Sequence, residues 1–240
     1  MARLDRLLAN LGYGSRKEVQ ALIAAGKVVL DGKVLKDAGA RIAVDATLPE
    51  RMTIRGVAVD PPAPLVLVMH KPLGVTCSHK EDGQKIYDLL PRRWQIRDPG
   101  LSTVGRLDKE TSGLILITDD GDFLHRVISP KRHVPKTYLT SLDRPLDGTE
   151  GEIFAAGTLM LDGEEKPLLP AQLDVVDEKT ARLTITEGRY HQVRRMFAAV
   201  GNHVVTLHRE RIGGLVLPAD LEPGQYRILP TAEAETVFDA

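Results

Sequence analysis

The chain has 240 residues, 42% of them hydrophobic and 27% charged, a balance that supports packed cores and excludes disorder on the scale of the whole molecule. Its net charge of −1 leaves any affinity for a polyanion to local basic patches. A single cysteine, Cys77, excludes a disulfide framework or a multi-cysteine metal site and fits a reducing, cytoplasmic setting; the charged start and the short apolar run Leu65 to Met69 argue against an export signal or a membrane span.

Leu4, Leu7, Leu8 and Leu11 recur at i, i+3, i+4 and i+7, which predicts one apolar stripe on a short helix, with Arg3, Arg6 and Asn10 off it. After Gly12-Tyr13-Gly14, Ser15-Arg-Lys-Glu18 has the form of a capping box. A second helix therefore starts at Ser15, turns Val19, Leu22 and Ile23 inward and stops at Gly26. Val28-Val-Leu30, Asp31-Gly32 and Val34-Leu35 predict a hairpin, and short alternating stretches around Ile42 and Val44 and from Ile54 to Val59 complete the unit. Residues 1 to 48 hold eight Lys/Arg against five Asp/Glu, so this unit is locally positive, with its basic residues clustered at helix ends. Pro61-Pro-Ala-Pro64 can continue neither a helix nor a central strand. The expected organisation is a domain over 1–60, a proline-rich linker over 61–64 and a second domain over 65–240.

In the second domain, strand-like runs at Leu65 to Met69, Leu114 to Thr118, Leu173 to Val176 and Ala181 to Thr186 are interleaved with few helical patterns, which predicts an α+β fold. Val193, Met196, Phe197 and Val200 place a helix over Gln192 to Val200, stopped at Gly201. Phosphate-binding, dinucleotide-binding, zinc-protease and serine-hydrolase signatures are absent from the sequence. Its histidines are scattered singly, as ordinary polar or RNA-facing residues would be.

Gly105-Arg-Leu-Asp-Lys-Glu-Thr-Ser-Gly-Leu114 is the densest cluster of special residues, a charged loop running into an apolar strand. Taken alone it reads as a surface turn in which Asp108 caps Thr111 or the next amide. Two further segments change that. Lys136-Thr-Tyr138, following Lys131 and Arg132, offers a cation and an aromatic where a base could stack beside a phosphate. Glu187-Gly-Arg-Tyr-His-Gln-Val-Arg-Arg-Met196 feeds a helix whose first turn is basic. Cations there oppose the helix dipole, so an anion is expected nearby, either an RNA phosphate or a carboxylate.

Together these segments resemble the RsuA-type pseudouridine synthase family, in order and over nearly the full length. The start Arg3-Leu-Asp5, the Ser15-Arg16 helix opening and the hairpin Gly26-Lys-Val-Val-Leu-Asp-Gly32 are similar to an S4 RNA-binding domain. Lys71-Pro-Leu-Gly74, Gly105-Arg-Leu-Asp108 and the Glu187 to Gly201 stretch match the family's three motifs, with Arg195 where a lysine is usual. The resemblance implies an S4-like domain followed by a catalytic domain with a mainly antiparallel mixed sheet and flanking helices. It implies Asp108 as nucleophile, Tyr138 packed on the target uracil and Arg194 paired with Asp108.

Isomerising uridine to pseudouridine requires no redox change, so no cofactor or metal is expected. The carboxylate acts either by attacking the sugar or by drawing off a sugar proton. Candidate RNA contacts are Arg3, Arg16, Lys17 and Lys27 in the first domain, and Lys71, Arg106, Lys136, Arg189, His191 and Arg195 in the second. Arg106 is also the candidate to fill the space a flipped base vacates. The wording from Tyr190 to His203 and from Leu207 to Gly214 favours one uridine in the 5′ domain of small-subunit (16S) rRNA, as naked RNA or in the assembling subunit. A large-subunit (23S) enzyme of the same family and a non-catalytic S4-domain assembly factor are the alternatives. A monomer is the simplest expectation.

Overall fold

The computed structural model describes residues 1–78 and 82–239, which fall into two compact units. In the first, helix α1 (Leu4–Asn10) and helix α2 (Arg16–Ala24) lie against a small antiparallel sheet in which β1 (Val28–Leu30) is flanked by β2 (Lys33–Leu35) and β3 (Met52–Ile54), with β4 (Val57–Ala58) beside β3. The expected capping box forms: the Glu18 amide donates to Ser15 Oγ and the Ser15 amide to Glu18 Oε2. Leu4, Leu8, Val19, Ile23, Val28, Leu48 and Met52 are fully buried and make the core. Leu22 is only partly buried.

Asp5, which closes the Arg3-Leu-Asp5 start, is completely buried. It accepts from the Arg3 and Arg16 guanidiniums, the Gln20 amide and the Arg6 backbone N–H. The Arg3 hydrogen bonds and then Gln20 hold its carboxyl far below the usual carboxylate range. Arg3 and Arg16 still keep half or more of their side-chain surface in solvent.

The first unit runs from Met1 to Leu65 but also takes in Tyr87–Ser102 and Thr118–Asp120, which the linear reading assigned to the second domain. The reason is a set of bonds that no local pattern announces. Arg93 pairs with Asp60 and lies over the Tyr13 ring at 4.6 Å, while the Asp98 amide donates to the Asn10 carbonyl. Arg97 forms a buried ion pair with Asp119 and donates to the Pro61 carbonyl, and the Leu65 amide donates to Asp119 Oδ1. The proline-rich stretch is therefore held at both ends rather than left as a free tether.

The second unit is built on a mixed sheet. Its strands are β5 (Val66–Lys71), β6 (Ser112–Thr118), β7 (Lys136–Leu142), β8 (Gln172–Asp177), β9 (Thr180–Ile185), β10 (Val204–Ile212), β11 (Leu215–Val216) and β12 (Tyr226–Ile228). The order across the sheet is β8-β9-β7-β10-β6-β5-β12, with β11 beside β10. The β10–β6 pair is parallel, whereas β7–β9, β7–β10, β8–β9 and β5–β12 are antiparallel. This is the α+β arrangement with a mainly antiparallel mixed sheet that the sequence implied. Helices α3 (Gly121–Ile128), α4 (Glu150–Ala155) and α5 (Gln192–Ala199) flank it. Leu114, Leu116, Phe123, Val127, Ile212 and Val237 share one core cluster, and Phe154 of α4 meets Phe197 of α5 edge-on. No helix among the described residues is long and apolar enough to cross a membrane.

The parallel contact places Gly113 directly against Arg209. Gly113 has φ +108°, and a Cβ there would stand 2.3 Å from the Arg209 carbonyl oxygen and 2.6 Å from its nitrogen. Neither backbone atom can move without parting β6 from β10. Gly113→Ala should therefore cost about 2–4 kcal/mol, from strain and overpacking together, in urea unfolding. A loss well under 1 kcal/mol would show that this approach is not tight.

Candidate active site

Asp108 lies in the loop between Gly105 and Gly113. The Thr111 amide donates to the Asp108 main-chain oxygen, so the turn closes on backbone and leaves the carboxylate unspent, contrary to the simple capping role. The side chain is one-third exposed. It borders a cavity of about 560 Å³ walled by the 104–108 loop, the end of α3, strands β7, β9 and β10, and the turn leading into α5.

Tyr138 lies in that wall and is nearly buried. It is brought there by a β-bulge. Thr137 pairs with Arg211 and Tyr138 with Arg209, so Glu210 is the extra residue and the Tyr138 and Arg209 side chains come to one face. Arg209 Nη1 donates to the Tyr138 hydroxyl at 3.4 Å, and its Nε donates to the Leu114 carbonyl.

The expected Arg194–Asp108 ion pair is not made. Among the described residues the imidazole of His191 lies beside the Asp108 carboxylate, Nε2 to Oδ1 3.5 Å. His191 precedes α5 in a left-handed conformation and stacks on Tyr190 at 3.8 Å, so it faces the carboxylate as well as any RNA. Arg194 grips main chain instead: Nη1 donates to the Val204 carbonyl and Nη2 to the Glu110 carbonyl, two residues beyond Asp108. It holds the loop rather than the carboxylate.

Several of the RNA-contact candidates are engaged within the protein. Lys71 is fully buried, with Nζ donating to the Pro72 and Thr111 carbonyls; burial lowers its pKa. Arg189 and Arg195 both pair with Glu164, and Arg189 also with Glu187. Glu164 and Glu187 thus place carboxylates beside this basic turn. Lys136 lines the cavity and donates to the Val134 carbonyl. Arg106 borders the cavity with an exposed side chain. Lys17 and Lys27, like Arg3 and Arg16, are exposed on the first unit.

Residues 65–199 match the RNA pseudouridylate synthase family, and residues 2–48 match the S4 domain. The chain belongs to the RNA pseudouridylate synthase family. It is 43% identical to the ribosomal small subunit pseudouridine synthase A of Escherichia coli K12, covering 98% of this chain and 99% of that one. Against the protein of the same name from Vibrio cholerae the identity is 41%, over 98% and 99%. A solved pseudouridylate synthase superposes with a TM-score of 0.69 at 37% identity, covering 99% of this chain and all of the other. Asp108 and Tyr138 line one cavity of this chain.

Sequence reasoning missed Arg209, whose only signal is a charge at an inward position of an alternating strand. It also missed the roles of Lys71 and Glu164. Two measurements test these assignments. Lys71→Met leaves two carbonyls without their donor and should cost about 1–3 kcal/mol of stability, with turnover falling more than RNA affinity; weakened RNA binding alone would return Lys71 to the RNA surface. Burial, and then the Arg209 charge, hold the Lys136 ammonium down to about 8 from 10.5. The folded protein thus sheds this proton before the unfolded chain does, so this residue makes stability rise with pH between those values. Urea midpoints across that window should lose this rise in Lys136→Met; an unchanged slope would contradict the burial argument.

Proposed function

We propose that this protein converts one uridine of small-subunit (16S) rRNA, in its 5′ domain, to pseudouridine, with Asp108 as the reacting carboxylate. The observation that carries the reading is Asp108 held, its side chain unspent, at the edge of a cavity walled by Tyr138. The choice of small-subunit RNA is supported by the name shared by the full-length relatives at 41–43% identity.

C1′ and N1 are out of reach in a stacked base, so the nucleotide leaves the helix at a cost of roughly a few kcal/mol. Tyr138 then packs on the uracil, and Arg106 is placed to enter the vacated space. Ionised Asp108 attacks C1′ or withdraws the C2′ proton, the C1′–N1 bond breaks, the base turns, and C5 joins C1′. Arg194 and Lys71 act as positioning residues through the carbonyls they hold. The exposed Arg3, Arg16, Lys17 and Lys27 of the first unit supply phosphate contacts whose strength falls with salt.

The test is incubation of the protein, or of Asp108→Asn, with unmodified 16S rRNA, with small-subunit particles and with 23S rRNA, followed by carbodiimide-blocked primer extension. One new stop in the 5′ domain of 16S rRNA is expected, with the variant slower by about 10⁴-fold or more. Stops confined to 23S rRNA would overturn the substrate, and tight binding without a stop in any RNA would leave an assembly factor.

A further inference from the structure

Arg209 is 2% exposed, lines the cavity, and meets no carboxylate within ion-pair distance among the described residues. Its Nε is satisfied by the Leu114 carbonyl and its Nη1 reaches the Tyr138 hydroxyl, but Nη2 is buried without a hydrogen-bond partner among the described residues. A buried cation short of both a counter-ion and an acceptor is costly. Supporting the Leu114 carbonyl would not require it, since a neutral donor could do that. Nor can the charge be shed, because a guanidinium stays protonated where a lysine would not. The neighbouring Lys136, turned to the Val134 carbonyl, offers no counter-ion. Such a site is complete only with an electron-rich group beside Tyr138.

We propose that Arg209 is a further catalytic residue, whose Nη2 donates to a carbonyl oxygen of the flipped uracil and stabilises the ring while it is detached from the sugar. This rests on the isomerase reading and on the uracil lying against Tyr138. When C1′–N1 breaks, its electron pair leaves with the base, which becomes an anion with charge spread over N1 and the two carbonyl oxygens. Asp108 by then has bonded C1′ or holds the C2′ proton. After the ring turns, C5 supplies the electron pair for the new bond to C1′. The carboxylate departs, or the proton returns to C2′. C5 then loses its hydrogen as a proton and N1 gains one. No electrons enter or leave, and Arg209 keeps its proton throughout. Its contribution is a preorganised charge placed where negative charge develops.

The test compares wild type, Arg209→Gln and Arg209→Lys in single-turnover reactions on RNA carrying uridine or 5-fluorouridine at the target position. Loss of the N-glycoside is read in nuclease digests. Fluorine stabilises the detached base by itself, so the enzyme's contribution matters less. Arg209→Gln is expected to slow uridine cleavage about 100-fold with RNA affinity changed by no more than about threefold, and to slow 5-fluorouridine cleavage about tenfold or less. Arg209→Lys, which keeps an N–H donor but not the guanidinium's fork, should lose less on uridine while showing the same bias between bases, and it carries the comparison if Arg209→Gln does not fold. Equal losses on the two bases, or none, would overturn the proposal and leave Arg209 a support for β6. A wild type inactive on both RNAs would instead bring down the isomerase reading and this proposal with it.

Discussion

Lys71 and Arg194 take hold of the Asp108 loop by its carbonyl oxygens, at Thr111 and Glu110. Hydrogen bonds from charged donors contribute roughly 1.5–3 kcal/mol each, and these two reach consecutive residues from different elements, a sheet strand and helix α5. The Gly74 amide adds a third bond, to the Lys109 carbonyl. On its downstream side the loop enters β6 at Gly113, which is pressed on the Arg209 backbone. A short polar loop with no core of its own is thereby fixed at successive residues. Its carboxylate takes no part in that fixing and stays available for chemistry.

The same economy of charge shapes the cavity. Arg189 and Arg195, which make the turn into α5 look like an open phosphate site, are compensated by Glu164 and Glu187. Among the described residues, a buried guanidinium without a carboxylate partner lies deeper, at Arg209 beside Tyr138, with Lys136 lining the same cavity. The basic turn thus stands beside the His191 and Tyr190 rim, while the inner wall keeps a buried guanidinium. In the first unit, Asp5 draws in Arg3 and Arg16 without removing them from solvent, so the helix ends keep an ordered, partly neutralised set of cations.

Much of this was legible in the chain. The Leu4–Leu11 stripe, the Ser15–Glu18 capping box, the Val28–Leu35 hairpin and the Val193–Val200 stripe encode local geometry that tertiary context did not override. Asp108 and Tyr138 could be singled out because motif order brought them together on paper as the fold brings them together in the cavity. What could not be read was pairing at a distance. Lys71 and a surface lysine look alike in sequence, and burial decides between them only once β5 is in the sheet. The resemblance paired Arg194 with Asp108, but the folded chain turns the guanidinium to the Val204 and Glu110 carbonyls. Arg209 becomes visible only through the bulge at Glu210, and the ties of Arg93 and Arg97 to Asp60 and Asp119 join segments with no shared pattern.

Cations on main-chain oxygens, not a charge partner on the carboxylate, hold the Asp108 loop in place. Native-state hydrogen exchange across residues 105–113, in wild-type protein and in Arg194→Met, tests it directly. The account predicts that protection of the Thr111 amide and its neighbours falls by about tenfold or more in the variant, while the β7–β10 ladder exchanges as before. Unchanged protection in the loop would contradict it, and would return Arg194 to the role of a simple counter-ion for Asp108.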